Sequence, residues 1–99
     1  MFRASTPTHE FILPMELMEM VEDVRICYEQ KNEEVLLKTL EDCKVEGNVL
    51  RITLTQEETN LFSRGPAQVQ LRVKTKEGKV IPSDVSTVAV RDVLDDEVM

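Results

Sequence analysis

The chain has no tryptophan, one tyrosine and three phenylalanines, so the aromatic platforms that a sugar-binding face normally offers are scarce. Histidine occurs once, at His9. A nucleophilic triad needs a base that holds its proton loosely near neutral pH, and His9 falls in an early strand segment with no serine in a strained elbow nearby. Ser/His/Asp chemistry is therefore not expected, and His9 is expected as an edge residue. The three glycines, Gly47, Gly65 and Gly78, each have a sufficient use in a turn, which leaves none for a phosphate-cradling loop. Two cysteines, Cys27 and Cys43, allow one bridge at most. Structural zinc generally needs four clustered ligands, more than two distant cysteines and one histidine supply. Long apolar runs are missing as well. The opening residues Met1 to Pro7 lack the apolar stretch of about 7–15 residues of an export signal, and nothing approaches the roughly 20 residues needed to span a bilayer. A chain made without an export signal stays in a reducing compartment, so two free, partly buried thiols are expected.

What is present describes a small folded domain. A chain of 99 residues can close one hydrophobic core, so residues 1–99 are expected to form one domain, with 1–6 and 95–99 as flexible ends. Nineteen acidic against twelve basic residues give a formal charge of −7, a field that opposes nonspecific phosphate binding, and no nucleic-acid partner is expected. A hydrophobic fraction of 41% with charges of both signs interspersed fits a packed interior rather than disorder.

The clearest local pattern runs from Ala67 to Thr75, where Ala67, Val69, Leu71, Val73 and Thr75 alternate with Gln68, Gln70, Arg72 and Lys74. This predicts a half-buried strand. Gly78 in Lys76-Glu77-Gly78-Lys79 suits a hairpin loop, and Val80-Ile81 resumes the apolar pattern. Pro82 cannot donate to a ladder, so the returning strand should bend or change partner near Pro82-Ser83-Asp84 before Val85 to Val90 continues it. A second hairpin centres on Gly47-Asn48, with Leu50, Ile52 and Leu54 on one face. A third turns at Lys31-Asn32, joining Val24 to Tyr28, with Val24, Ile26 and Tyr28 inward, to Glu34 to Lys38, whose apolar run leaves its buried face open. Phe11 and Leu13 mark a first strand.

Two segments break the strand pattern. Thr55-Gln56-Glu57-Glu58 has capping-box spacing and predicts one or two helical turns through about Phe62. Met15 to Val21 suits neither a full helix nor a strand and is expected to be irregular. The whole reads as an all-β protein, an immunoglobulin-like antiparallel β-sandwich of six to eight strands with one short helical crossover near residues 56–62.

Paired carboxylates occur at Glu33-Glu34, Glu57-Glu58 and Asp95-Asp96, yet acid–base work requires carboxyls in a concave site with their pKa values pushed apart. The acidic spacing does not match a calcium loop. No catalytic residue, no cofactor, no metal site and no small-molecule substrate is expected. Two surfaces remain as candidates for a partner. Met15, Met18 and Met20 lie in one short segment and can either plug an end of the sandwich or meet an irregular partner surface. The row Gln68, Gln70, Arg72 and Lys74 is either a solvated sheet face or a contact with a neighbouring subunit.

Several stretches carry a resemblance: Thr6 to Pro14, Glu41-Asp42-Cys43 with Glu46-Gly47-Asn48, Leu54 to Thr59, Val69 to Val73, and Ser83-Asp84. Together they cover most of the chain from Phe2 to about Leu94 and resemble a family of small prophage structural proteins of Gram-positive gut bacteria. These in turn are similar to the immunoglobulin-like N-terminal modules of phage baseplate upper proteins. The resemblance implies a tail or baseplate component, made in the bacterial cytoplasm and incorporated into the virion, whose partners are other phage structural proteins or further copies of itself. It transfers no functional residues. A host-side binding module for a protein or carbohydrate ligand is the alternative, and a small metal-dependent enzyme a third.

Overall fold

The computed structural model describes residues 1–99 and contains eight strands, two single-turn α-helices and one 3₁₀ turn. The strands are β1 (Thr8–Ile12), β2 (Val21–Gln30), β3 (Glu33–Thr39), β4 (Lys44–Glu46), β5 (Val49–Thr53), β6 (Gly65–Thr75), β7 (Val80–Pro82) and β8 (Ser86–Val90). One helical turn, α1 (Met15–Met18), joins β1 to β2, and the other, α2 (Gln56–Thr59), joins β5 to β6. The smaller sheet has the order β1-β5-β4 and the larger β3-β2-β6-β7, with β8 also on β6. All these strand pairings are antiparallel.

Labelled in chain order as B, C, C′, D, E and F with a split G, the strands form B-E-D and C′-C-F-G sheets, the connectivity of an immunoglobulin-like sandwich. Alternation decides which side chains go between the layers. Val24, Ile26 and Tyr28 of β2, Ala67, Val69, Leu71 and Val73 of β6, and Leu50 and Ile52 of β5 are all buried, as are Leu54 and Phe62 near α2. Each buried Val, Leu, Ile or Phe side chain among them contributes about 1.5–3 kcal/mol by leaving water.

The turns follow from their residues. Lys31 and Asn32 both take positive φ, 55° and 64°, so the β2–β3 hairpin has a type I′ turn without glycine. Gly47, at φ 57°, opens the two-residue β4–β5 loop, and the Asn48 side chain donates to the Leu13 carbonyl at 2.7 Å, which anchors the end of β1. After the Gly78 hairpin the returning strand bends but keeps its partner. Arg72 pairs with Pro82 and Val69 with Ser86, so Ser83-Asp84-Val85 face only Gln70-Leu71 across a bulge. Ser83 repairs the interrupted ladder, its amide donating to the Leu71 carbonyl at 2.7 Å and its hydroxyl accepting from the Leu71 amide at 3.0 Å.

The structure corrects one expectation and adds detail to two others. Met15–Met18 is a helical turn rather than irregular chain, because the Pro14 carbonyl accepts from the Met18 amide at 2.9 Å. The helical crossover at residues 56–62 is consequently accompanied by α1 and by the 3₁₀ turn Leu40–Asp42, which Asp42 closes by accepting from the Thr39 amide at 2.8 Å. His9 does sit on edge strand β1, but it pairs with Ile52 and so turns its ring inward. Both ends have contacts with the sandwich. Phe2 forms a parallel bridge with Arg91, and Arg3 binds Asp92 and Asp96 while donating to the Phe62 carbonyl at 2.8 Å. No helix is long and apolar enough to cross a membrane.

Candidate functional site

The two outer faces of the sandwich treat their charges differently. On the smaller sheet, Glu10, Arg51 and Lys44 stand in register, and Arg51 binds Glu10 at 2.9 Å and Glu46 at 2.6 Å, while Lys44 reaches Glu46 at 3.3 Å. Hydrogen bonds from Arg51 and Lys44 hold the Glu46 carboxyl below the usual carboxylate range. That face satisfies itself.

The larger sheet does not. Its outward side chains form rows across the strands because paired residues share a face. One row is Thr39, Arg25, Arg72 and Pro82; the next is Leu37, Cys27 and Gln70; the third is Glu34, Glu29, Gln68 and Thr87. Arg25 thus stands directly opposite Arg72, and Glu29 directly opposite Glu34, arrangements that disfavour the isolated sheet. Every ion pair in the molecule lies elsewhere. The candidate row Gln68, Gln70, Arg72 and Lys74 is therefore the β6 part of a larger surface with a cationic and an anionic pole on either side of a neutral row. Beside the neutral row lies a shallow depression of about 230 Å³ lined by Cys27, Glu29, Asn32, Gln68, Gln70 and Val85. The Gln70 amide is fixed there by donating to the Ser83 carbonyl at 2.9 Å.

The Met segment does not join this surface as a unit. Met18 packs against the core, Met15 is 53% exposed, and Met20 is half-buried, its carbonyl accepting from the Lys76 amide at 2.9 Å. Met15 and Met18, three residues apart, share a face of the single turn, but Met15 at its start stays largely in solvent while Met18 fills the core. Sequence reasoning reached Gln68 to Lys74 but missed Arg25, Glu29 and Glu34. The alternation of β2 already turns Arg25 and Glu29 outward once Val24, Ile26 and Tyr28 are placed inward; their like-charged neighbours depend on pairing register, which one strand does not disclose.

The two thiols are free and half-buried. Cys27 lies on the outer face, its thiol donating to the Glu34 carboxylate at 3.7 Å, whereas Cys43 packs against the core and donates to the Thr39 carbonyl at 3.4 Å. Burial first, and acidic neighbours second, push both thiols above their ordinary range, which keeps them protonated and poorly nucleophilic.

Between the layers, His9 Nδ1 lies 2.7 Å from the Tyr28 hydroxyl. The two atoms share a hydrogen bond in which the ring tautomer decides which of them donates. Burial lowers the His9 pKa and raises that of Tyr28, which keeps both groups neutral. Lys38, on the inward face of β3, forms an ion pair with Glu58 of α2. No group of three or more His, Cys, Asp or Glu side chains is placed to hold a metal ion. Set against protein-family models, curated proteins and solved structures, the chain matches none of them.

Proposed function

We propose that this chain is a non-enzymatic structural or assembly protein of a phage or prophage virion, part of a tail or baseplate, acting through protein–protein contact on the outer face of the larger sheet. The observation that carries the contact reading is the pair of like-charged rows, Arg25 with Arg72 and Glu29 with Glu34, none of whose members forms an ion pair within the chain. Such rows cost the lone domain stability and repay it when a complementary surface covers them.

The virion reading draws on the resemblance, whose residues occupy structurally demanding places: Gly47-Asn48 in the β4–β5 loop, Thr55 to Glu58 in the cap of α2, and Ser83 in the bulge. A sandwich with short loops is a rigid building block, and virions use modest contacts many times around a symmetry axis. On this reading the protein is made in the bacterial cytoplasm and its partners are other phage structural proteins.

Purified particles, released by induction of the strain that encodes the chain, are expected to contain it in stoichiometric amount by quantitative mass spectrometry. Its absence from particles that otherwise carry complete tails would overturn the assignment.

A further inference from the structure

We infer that the outer face of the larger sheet is a two-fold, self-complementary contact whose occupant is a second copy of this chain. The inference rests on the reading of this face as a contact surface and does not need the virion assignment.

The cationic row through Arg25 and Arg72 and the anionic row through Glu29 and Glu34 each lie one step from the neutral row Leu37, Cys27 and Gln70. On a strand, one step is two residues, or about 7 Å, so the poles are equidistant from the neutral row. Two sheets meeting face to face are related by an axis lying between them in the plane of contact. With that axis along the neutral row, each copy's cationic row falls over the other's anionic row. Arg25 of one copy then stands over Glu29 of the other. Arg72 of one copy lies one strand spacing, about 4.8 Å, from Glu29 of the other, and Glu34 lies the same distance from Arg25, within the reach of an arginine side chain. The neutral row meets itself: Leu37 against Leu37, Cys27 against Cys27 and Gln70 against Gln70. Leu37 is 39% exposed and Val85, at the rim, 56% exposed, so the contact also covers apolar surface.

Such an isologous patch closes as a dimer and does not propagate. Four strands over some ten residues present on the order of 600 Å² per copy, below the roughly 800 Å² of a standard partner surface. The pair should therefore be reversible and of modest affinity. Each copy carries −7, so pairing is best measured at about 0.15 M salt, where net repulsion is screened beyond roughly 8 Å while direct contacts persist.

Sedimentation or light scattering up to about 1 mM chain, the concentration at which weak pairs are populated, is expected to show the mass rising from 11.4 kDa toward twice that value. Reversing one pole, Arg25→Glu with Arg72→Glu, makes both charged rows acidic and abolishes pairing. Reversing the other, Glu29→Arg with Glu34→Arg, abolishes it equally. Mixing the two variants restores a dimer, because each now complements the other. Restoration also shows that both variants are folded, with circular dichroism of each as a second control. A wild-type chain that stays at 11.4 kDa throughout, or a mixture no more associated than its folded components, overturns the inference. A monomer that still enters particles refutes the second-copy partner and leaves the virion reading standing; a dimer absent from particles does the reverse.

Discussion

Tyr28 shows how one side chain serves two purposes. Its ring is fully buried and meets Phe62 edge-on with centroids 5.9 Å apart, while its hydroxyl is bound only by His9. Tyr28→Phe keeps the ring packing and leaves His9 Nδ1 without its partner, so it should cost about 1 kcal/mol, or roughly 4–8 °C in thermal midpoint for a domain of this size. His9 itself confers a pH dependence. Burial lowers its pKa from the ordinary 6.5, so between the folded and unfolded values the unfolded chain holds a proton that the native chain does not. Stability then rises with pH across that window. As the pH falls below 6.5 the stabilisation declines, and the loss is complete once the pH passes the native value. Thermal midpoints of the wild type should drop over this range, and those of His9→Gln should stay flatter. Parallel curves would show that His9 does not carry the effect.

At the scale of elements, α2 joins a local signal to a contact that the sequence conceals. Thr55 and Glu58 form the expected capping box, the Thr55 hydroxyl accepting from the Glu58 amide at 3.1 Å and the Glu58 carboxylate from the Thr55 amide at 2.9 Å. The same carboxylate binds Lys38. Burial raises the Glu58 pKa, but Lys38 and the Thr55 amide outweigh it and leave the group below the usual range. Thr55→Ala should cost about 1 kcal/mol, as a lost cap does. Glu58→Ala should cost more, because it also strands Lys38 on the inward face of β3, and chemical denaturation of the two variants measures the difference. The cap was legible because its partners are three residues apart. Lys38 was not, because register shifts between Tyr28 and Glu29, leaving Val35 as the extra residue on β3 and making alternation an unsafe guide to its buried face. The Lys31-Asn32 turn was likewise visible as a hairpin, although neither residue is glycine. Asn32→Gly relieves a positive φ of 64° and should raise the midpoint by a few degrees, about 1 kcal/mol or less.

For the whole molecule, alternation and turn residues were enough to indicate an all-β sandwich, since both are local properties. Contacts between distant parts were out of reach. The acidic run Asp92 to Glu97 reads as a solvated tail when taken alone, because the cation that binds it lies near the other end of the chain. Arg3 connects three regions. Its guanidinium reaches Asp92 at 3.3 Å and Asp96 at 3.1 Å, donates to the Phe62 carbonyl at 2.8 Å, and lies 3.4 Å from the Asn60 carbonyl just beyond α2. Gln56 and Asn60 hold the same segment by its backbone, Asn60 donating to the Asp96 carbonyl at 2.8 Å and Gln56 accepting from the Met99 amide at 2.8 Å. Removing the guanidinium by Arg3→Ala leaves those two anchors without their neighbouring charge pairs. Exposed ion pairs contribute only about 0–1 kcal/mol each and a hydrogen bond about 1 kcal/mol, so local opening should become easier by roughly 1–2 kcal/mol while global stability changes less. Amide exchange at Arg91 and Met99 should accelerate by about tenfold, with the amides of β2 and β6 unchanged. Arg3→Lys keeps the charge but cannot span two carboxylates and a carbonyl with one ammonium, so it should recover only part of the protection. Unaltered exchange at Arg91 and Met99 in Arg3→Ala would show that the backbone anchors alone hold the segment and that the arginine is incidental to closing the molecule.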